Sequence, residues 1–453
     1  MTMTDEYARL HARRGRVEQL VSPVARFMAT ESASGVVLLI GAVIALAWVN
    51  SPWAHSYHEF LDHHIVFSLG FWEVDQPVHF WVNDVLMVFF FFLVGLEIKR
   101  EAVLGELSEL RRVIVPIVGA VGGMIAPALI FVLIVRGGEG AGGWGIPVAT
   151  DIAFAVGVLT LAGSRVPFGL RVTLLALAIA DDIGGILVIA VFYATGLQAW
   201  ALGAVAVILL ACYFLRQSGI WYLPIYFALG ALGWALMLES GVHATILGVA
   251  LGLLAPWRPW QPVNGFVERM HHLTSRFDAV DDSEETIEEQ ATIALELARE
   301  ARDHVSPLDR LVRDLQPVVA FGIAPLFALA NSGVPVDPGT LGAALTSPVM
   351  LGVFFGLLLG KPIGIFIAVR LAVMAGAKLP SGVGWAGVLA MGIVSGIGFT
   401  VALFVTELSY TEEVLLTDAK LGIIFASLLS GILGFLALRF VFRDAPVSHE
   451  GHG

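Results

Sequence analysis

The sequence predicts an all-α polytopic membrane protein of about twelve transmembrane helices. Its 453 residues are 57% hydrophobic and only 14% charged, whereas a soluble domain carries about 25% charged residues. The apolar residues gather into runs close to the ~20 that cross the hydrocarbon core as a helix, too long for barrel strands. The basic residues between those runs fall overwhelmingly in alternate loops, and so on one side of the membrane, as orientation by positive charge requires.

The N-terminal segment, residues 1–32, is too long and too mixed in charge for a signal peptide, and the run Gly35–Val49 after it lacks a small-x-small cleavage site. It reads as a cytoplasmic lead into a retained first span. The expected spans are 33–50, 80–97, 112–135, 146–163, 170–194, 199–215, 219–238, 241–256, 317–332, 347–369, 384–407 and 418–441, of which the fourth and eighth are short. Spans one to eight thus lie within 33–259 and spans nine to twelve within 315–441, followed by a cytoplasmic tail, 442–453. The loop Ser51–Phe80 has no Lys or Arg, and Ile65–Trp81 reads as a short hairpin about Gly70. Residues 260–314 are polar and acidic, and ATIALELAREARDHV within them is strongly helix-forming although it makes no clean apolar stripe. This is a solvated cytoplasmic insert, and it carries much of the net charge of −12. With the N-terminus inside, the inner face collects the basic residues from Arg9 through Lys99, Arg100, Arg165, Arg216 and Arg370 to Arg443. The outer face receives Arg136 and Lys420.

Two spans carry the marks of interruption. Span four opens with GGWGIPVATD and span eleven contains MGIVSGIGFT, and glycine weakens a helix interior by about 1 kcal/mol relative to alanine. Spans three to five and ten to twelve therefore read as inverted repeats, with spans four and eleven broken and crossing near the midplane. Gly119, Gly122, Gly123, Gly356 and Gly360 read instead as sites of close helix packing.

Three aspartates stand where a membrane helix tolerates charge worst. Asp151 lies near the start of span four, and Asp181 and Asp182 lie midway along span five. Each carboxylate costs roughly 2.5–3.5 kcal/mol at mid-membrane on insertion scales, so the default expectation is an ion or proton pathway. Adjacent residues on a helix point about 100° apart, so one of Asp181 and Asp182 can line a cavity while the other meets a partner. Lys361, in GLLLGKPIGI, is the basic residue available inside a span. Carboxylate oxygens suit a hard cation such as Na⁺ or Li⁺. A buried aspartate near a cation can hold either a proton or a sodium ion, and that competition alone couples two flows. The hydroxyl of Thr150 is placed to complete the shell. Glu97 and Glu101, in LEIKRE, could line a cytoplasmic funnel or form an ordinary charge cluster with Lys99 and Arg100. His243 could modulate a pH response or be a packing residue. Asp84 reads as capping or interfacial.

Other classes fit poorly. There is no GxGD, and adjacent aspartates cannot share a proton across a scissile bond, which removes an intramembrane aspartyl protease. No HExxH or GxSxG occurs. A light-driven pump has seven spans. A sodium-coupled symporter is the nearest rival and would need an organic co-substrate. The single cysteine, Cys212, permits no disulfide within the chain. No enzyme activity, cofactor or nucleic-acid partner is expected, only transported ions and the lipid bilayer.

The stretches FFFLVGLEIKRE, ATDIAFAVGVLTLAGSRVP, LALAIADDIGG, SGVHATILGV, PLFALANSGV, GKPIGI and GIGFT, in this order, resemble the NhaA family of sodium/proton antiporters. The likeness runs from about Ala33 to Phe440, the insert excepted. That family is itself a standing example of inverted repeats, so the resemblance and the repeats are not independent. The resemblance implies a bacterial inner-membrane antiporter, with Asp182 as principal cation and proton site, Asp181 beside it paired with Lys361, and Asp151 and Lys361 balancing the helix ends at the crossing. It implies electrogenic exchange activated as pH rises, and a homodimer with the outer hairpin at its interface. Two departures stand out: the acidic insert, and Val312, Arg313 and Gln316 where acid and histidine can serve the pH response. The second puts the threshold of that response in doubt.

Overall fold

The computed structural model describes residues 31–68, 73–105, 110–163, 165–220, 222–258, 265–280 and 287–443. In chain order α1 (Glu31–Val49) and α2 (Ala54–Leu61) lead to strands β1 (His64–Ser68) and β2 (Glu73–Pro77). Next come α3 (Val78–Leu104), α4 (Leu110–Val135), a 3-10 segment Glu139–Val148, α5 (Ile152–Ala162) and α6 (Phe168–Phe192). Then come α7 (Ala199–Gln217), α8 (Leu223–Ser240), α9 (Thr245–Leu254), α10 (Phe266–Ala279) and α11 (Ile287–Asp303). The last are α12 (Pro307–Asn331), α13 (Pro338–Ala344), α14 (Pro348–Met374), α15 (Trp385–Ser395), α16 (Phe399–Ser409) and α17 (Glu413–Val441). Among the described residues the protein is all-helical apart from one antiparallel hairpin, in which Val66 stands opposite Asp75. Gly70, at the expected turn of that hairpin, lies outside the described residues, as do nearly all of the N-terminal lead and of the tail. The hairpin ends at Pro77, which cannot donate to a ladder. Trp81, expected in the hairpin, therefore belongs to α3.

Among the described residues, eight helices are long and apolar enough to cross a membrane, and up to eleven spans result when each bent pair counts as one. Two of those pairs are the expected broken spans: Glu139–Val148 with α5 bends by 43°, and α15 with α16 by 47°. The third is α1 with α2, bent by 119°, so that α2 folds away from the axis of the first span. The eighth expected span, read from the sequence as short, is not among these eleven. Residues 241–256 yield a helix of 10 residues, α9, about 15 Å at the helical rise and short of the ~30 Å core.

The described residues fall into two compact units. The first draws on Met1–Met87, Glu109–Thr195 and Val319–Gly453. It holds two three-span series of the same pattern, a long helix, a broken span and a long helix: α4 to α6, and α14 to α17. Their leading helices cross at Gly122 and Gly364, where a Cβ on either would overlap the other's carbonyl oxygen. Gly360 lies as closely on Pro127 and Gly356 on Pro147, while Gly119 and Gly123 meet the side chains of Leu177 and Ile365. These glycines are packing sites, as expected. The opposite face of α4, with Ile125, Leu129, Val132 and Leu133, is exposed, as a lipid-facing surface is.

The second unit comprises Val88–Ser108 and Gly196–Val318. Val205, Met237, Ala244 and Leu247 form its core, and Gly95 of α3 lies directly on the backbone of Val249 in α9. The acidic segment forms two helices, α10 and α11, where the sequence pointed to one. Arg269 pairs with Glu300, and Arg276 with Glu296 at 3.4 Å. Along α11, Ile293 is buried while Leu295 is 71% exposed, in keeping with the absence of a clean stripe. The ends of this segment meet: the Leu308 amide donates to the Pro256 carbonyl at 3.1 Å.

Candidate functional site

Both broken spans stop at short, polar, glycine-bearing sequences, and these stops face each other. The 3-10 segment ends at Val148, Ala149 and Thr150 are extended or irregular, and α5 starts at Ile152. Opposite, α15 ends at Ser395 and α16 starts at Phe399. Each break leaves carbonyls and amides without partners in their own helix, and the two spans satisfy one another. The Asp151 amide donates to the Ile397 carbonyl at 2.7 Å, and the Thr150 hydroxyl to the Ser395 carbonyl at 2.9 Å.

Asp151 is the hub of this exchange. Its Oδ1 accepts from the Phe154 amide at 3.0 Å, capping α5. Its Oδ2 accepts from the Thr400 amide at 3.0 Å and the Thr400 hydroxyl at 2.6 Å, at the first turn of α16. One carboxylate therefore sits at the positive ends of two half-helices, where negative charge is favoured.

Asp181 and Asp182 project from the middle of unbroken α6. Lys361 Nζ donates to Asp181 Oδ2 at 2.5 Å, and both side chains are fully buried. Asp181 also lies against Thr150, so the ion pair and the break of span four are contiguous. Asp182 is 7% exposed, the more accessible of the two. Lys361 comes directly after a π-helical turn, Gly356–Gly360, and precedes Pro362. Proline removes a helical hydrogen bond, and a π turn inserts one residue and so rotates the side chains beyond it about the helix axis. In this structure Lys361 meets Asp181 in a direct ion pair.

The five central residues, Thr150, Asp151, Asp181, Asp182 and Lys361, thus converge in the first unit. The remaining candidates belong to the second. Glu97 and Glu101 are half-buried one turn apart on α3, and the Glu101 carboxylate folds over Gly105. Their neighbour Arg100 binds Asp309 at 3.3 Å. His243 is half-buried between α8 and α9, where its carbonyl accepts the Ile246 amide at 3.2 Å. In the first unit, Asp84 is no cap: it lies inside a π turn, Trp81–Leu86, within α3.

Comparison with known proteins is decisive for the family. The family described as Na⁺/H⁺ antiporter 1 matches residues 25–438. The chain is 46% identical over 427 residues to the Na⁺/H⁺ antiporter NhaA 2 of Sorangium cellulosum, covering 94% of this chain and 91% of that protein. It is 43% identical over 429 residues to NhaA 2 of Myxococcus xanthus, covering 93% and 90%. The chain belongs to the NhaA family of Na⁺/H⁺ antiporters. This is a family of transporters, not of enzymes, and its members among these relatives are bacterial multi-pass membrane proteins. The fold also resembles the solved sodium proton antiporter MjNhaP1 from Methanocaldococcus jannaschii, with a TM-score of 0.51 at 13% identity over 99% of both chains. At that identity the likeness speaks to fold alone.

For an NhaA-family chain, several polar partners escape sequence inspection. Thr400 lies in GIGFT, but only the packing reveals it as the second ligand of Asp151. Tyr193 and Tyr410 pin the glycine-rich 3-10 segment, donating to the carbonyls of Gly142 at 2.8 Å and Gly140 at 2.6 Å. Asn83, next to Asp84, is paired with Asn331. Glu407 binds Lys420 at 2.7 Å. A signal existed for Glu407 and Asn331, since both are polar residues at the ends of apolar runs, but such residues are common there.

Proposed function

We propose that this chain exchanges internal Na⁺ or Li⁺ for external protons, and that the exchange is electrogenic and rises with pH, supporting sodium and pH homeostasis. The observation that carries this is Asp182 next to a buried Asp181–Lys361 ion pair, against the crossed breaks of two spans. Asp182 is the principal cation and proton site, with Asp181 beside it and the Thr150 region supplying further oxygens. An aspartate that holds a proton has no charge left for a sodium ion, so each displaces the other and the two flows are coupled. Lys361 neutralises Asp181 and limits the charge left in the membrane when Asp182 is ionised. Two carboxylates and an ammonium serving one cation offer more proton positions than ion positions, which supports net charge movement.

The proposed setting is a bacterial inner membrane with both termini and the insert, 260–314, cytoplasmic. Glu97 and Glu101 would then lie toward the inner end of α3, where acids raise the local cation concentration, and His243 would tune the pH response. A homodimer through the outer hairpin is supported by the exposure of Ile65, Val66 and Phe67 on β1. No organic substrate is required.

The test is purified protein in proteoliposomes with an internal pH dye, challenged with external NaCl, LiCl or KCl at several pH values. Wild type is expected to move protons on addition of Na⁺ or Li⁺, and Asp182→Asn to lose this while remaining folded. Proton movement in wild type at no pH would sink the antiport proposal; full activity in Asp182→Asn would relocate the site.

A further inference from the structure

Away from the aspartates, the first unit holds a second titratable cluster, at the end of the spans opposite the proposed cytoplasmic face. Its solvent-facing member is His79, at the start of α3, with a side chain 35% exposed. Around its Nε2 stand Asn83 Nδ2 at 3.0 Å, Asn331 Oδ1 at 3.2 Å and Glu407 Oε2 at 3.6 Å. Behind it the two asparagines are paired amide to amide, Asn83 Nδ2 donating to Asn331 Oδ1 at 3.1 Å and Asn331 Nδ2 to Asn83 Oδ1 at 2.8 Å. Asn331 Nδ2 also donates to the Phe327 carbonyl at 2.9 Å, so this pair is fixed within α12. Glu407, at the end of α16, binds Lys420 of α17 at 2.7 Å, and both are nearly buried. Tyr57, on α2, lies within electrostatic reach of Glu407, and Asp418 of α17 lies near Tyr410, beyond the end of α16.

These positions give His79 different partners in its two protonation states. A neutral imidazole with its proton on Nδ1 accepts from Asn83 Nδ2. Once Nε2 takes a proton it can no longer accept that bond. It donates to Asn331 Oδ1 and presents positive charge to Glu407, while Asn83 retains its bond to Asn331. Histidine is the side chain whose charge ordinarily changes between about pH 5 and 8. Glu407 lies two turns along the short helix α16 from Thr400, which holds Asp151 at the crossing. A charge change at His79 therefore acts on one end of the half-helix whose other end forms part of the ion site.

We propose that His79 is an external proton-binding site, and that its protonation latches α16 through Glu407 and slows exchange when the outer face is acidic. This rests on the exchange and the orientation proposed above. It is distinct from any response set at Asp181 and Asp182, since it would be read from the opposite face of the membrane to the cytoplasmic insert.

The test uses the full chain in proteoliposomes. Val66→Cys, on the hairpin, in a Cys212→Ser background and labelled with a membrane-impermeant maleimide, identifies the vesicle face that carries His79. The pH of each face is then varied separately. Acid on the labelled face is expected to slow wild-type exchange by about fivefold or more, within the range of ordinary coupling between sites. His79→Gln should lose most of that slowing and keep the alkaline rate, and Glu407→Gln should do the same because the imidazolium has lost its partner. An unchanged pH profile in His79→Gln, or exchange abolished at every pH in a folded His79→Gln protein, would overturn the latch. Thermal melting in detergent separates this from failure of the antiport proposal. Acidification should stabilise wild type relative to both variants whatever ion is carried, and identical melting profiles in all three proteins would overturn the latch even if exchange is established.

Discussion

At the scale of single residues, the two kinds of buried carboxylate do different work. Asp151 makes hydrogen bonds to two helix starts, whereas Asp181 is paired with a cation, Lys361. Breaking a buried pair by removing one partner leaves an uncompensated charge, at a cost of roughly 3–5 kcal/mol, while replacing both partners by apolar groups is often neutral. Lys361→Met is therefore expected to lower the melting temperature of the purified protein sharply. The double variant Lys361→Met with Asp181→Leu should recover much of the loss without recovering transport. A double variant as unstable as the single one would show that the lysine's role is not charge compensation. Asp151→Ala should cost more than the ~1 kcal/mol of an ordinary cap, because it strips two helix starts at once. Asp151→Asn, which keeps an accepting oxygen, should melt between wild type and Asp151→Ala.

At the scale of elements, the segment between Pro256 and Leu308 has the geometry of an excisable insert. Its ends are already joined by a backbone hydrogen bond, so closing the gap with a short Gly-Ser linker carries little entropic penalty. The described ion pairs that hold α10 to α11 are made within the segment itself. Replacement of residues 259–304 by such a linker is expected to leave folding and Na⁺-driven proton movement intact. Loss of either, measured by size-exclusion profile and the proteoliposome assay, would assign the segment a structural or obligatory role. A smaller element gives a pH-dependent prediction. Asp337 caps α13, accepting from the Thr340 hydroxyl and from the Thr340 and Gly339 amides, which holds its carboxyl below the ordinary 3.8. A carboxyl depressed on folding contributes stability above its unfolded value and loses it as pH falls through the folded one. Protection of the α13 amides, taken relative to their intrinsic exchange rate at each pH, should fall only under strong acid in wild type, whereas in Asp337→Ala it should be low at every pH.

At the scale of the whole molecule, topology turns on the shortest helix of the apolar series. If α9, with its 10 residues, completes a crossing together with its flanking turns, the number of crossings is even and both termini share a side. If it does not, the C-terminal half is inverted relative to the charges in its loops. A green fluorescent protein fused after residue 443 is expected to fluoresce, and alkaline phosphatase at the same place to be inactive. The reverse result would place the C-terminus outside and remove α9 from the count of spans.

The class, nearly all of the spans and the three aspartates with their lysine were legible in the order of amino acids alone. Hydrocarbon makes those features legible, because it demands apolar runs of nearly fixed length and makes each buried charge conspicuous. Both helix breaks were marked as well, since glycine and proline weaken a helix locally wherever the chain runs. Which side chains meet was settled only by the packing. That Asp151 is shared between α5 and α16, that Lys361 reaches Asp181 after a π turn, and that His79, Asn331 and Glu407 gather at one end are consequences of helix crossing. The partners lie some 180 to 328 residues apart along the chain. No local pattern of residues records such pairings, because a helix's own periodicity fixes only which face a side chain occupies and not which neighbour that face will find.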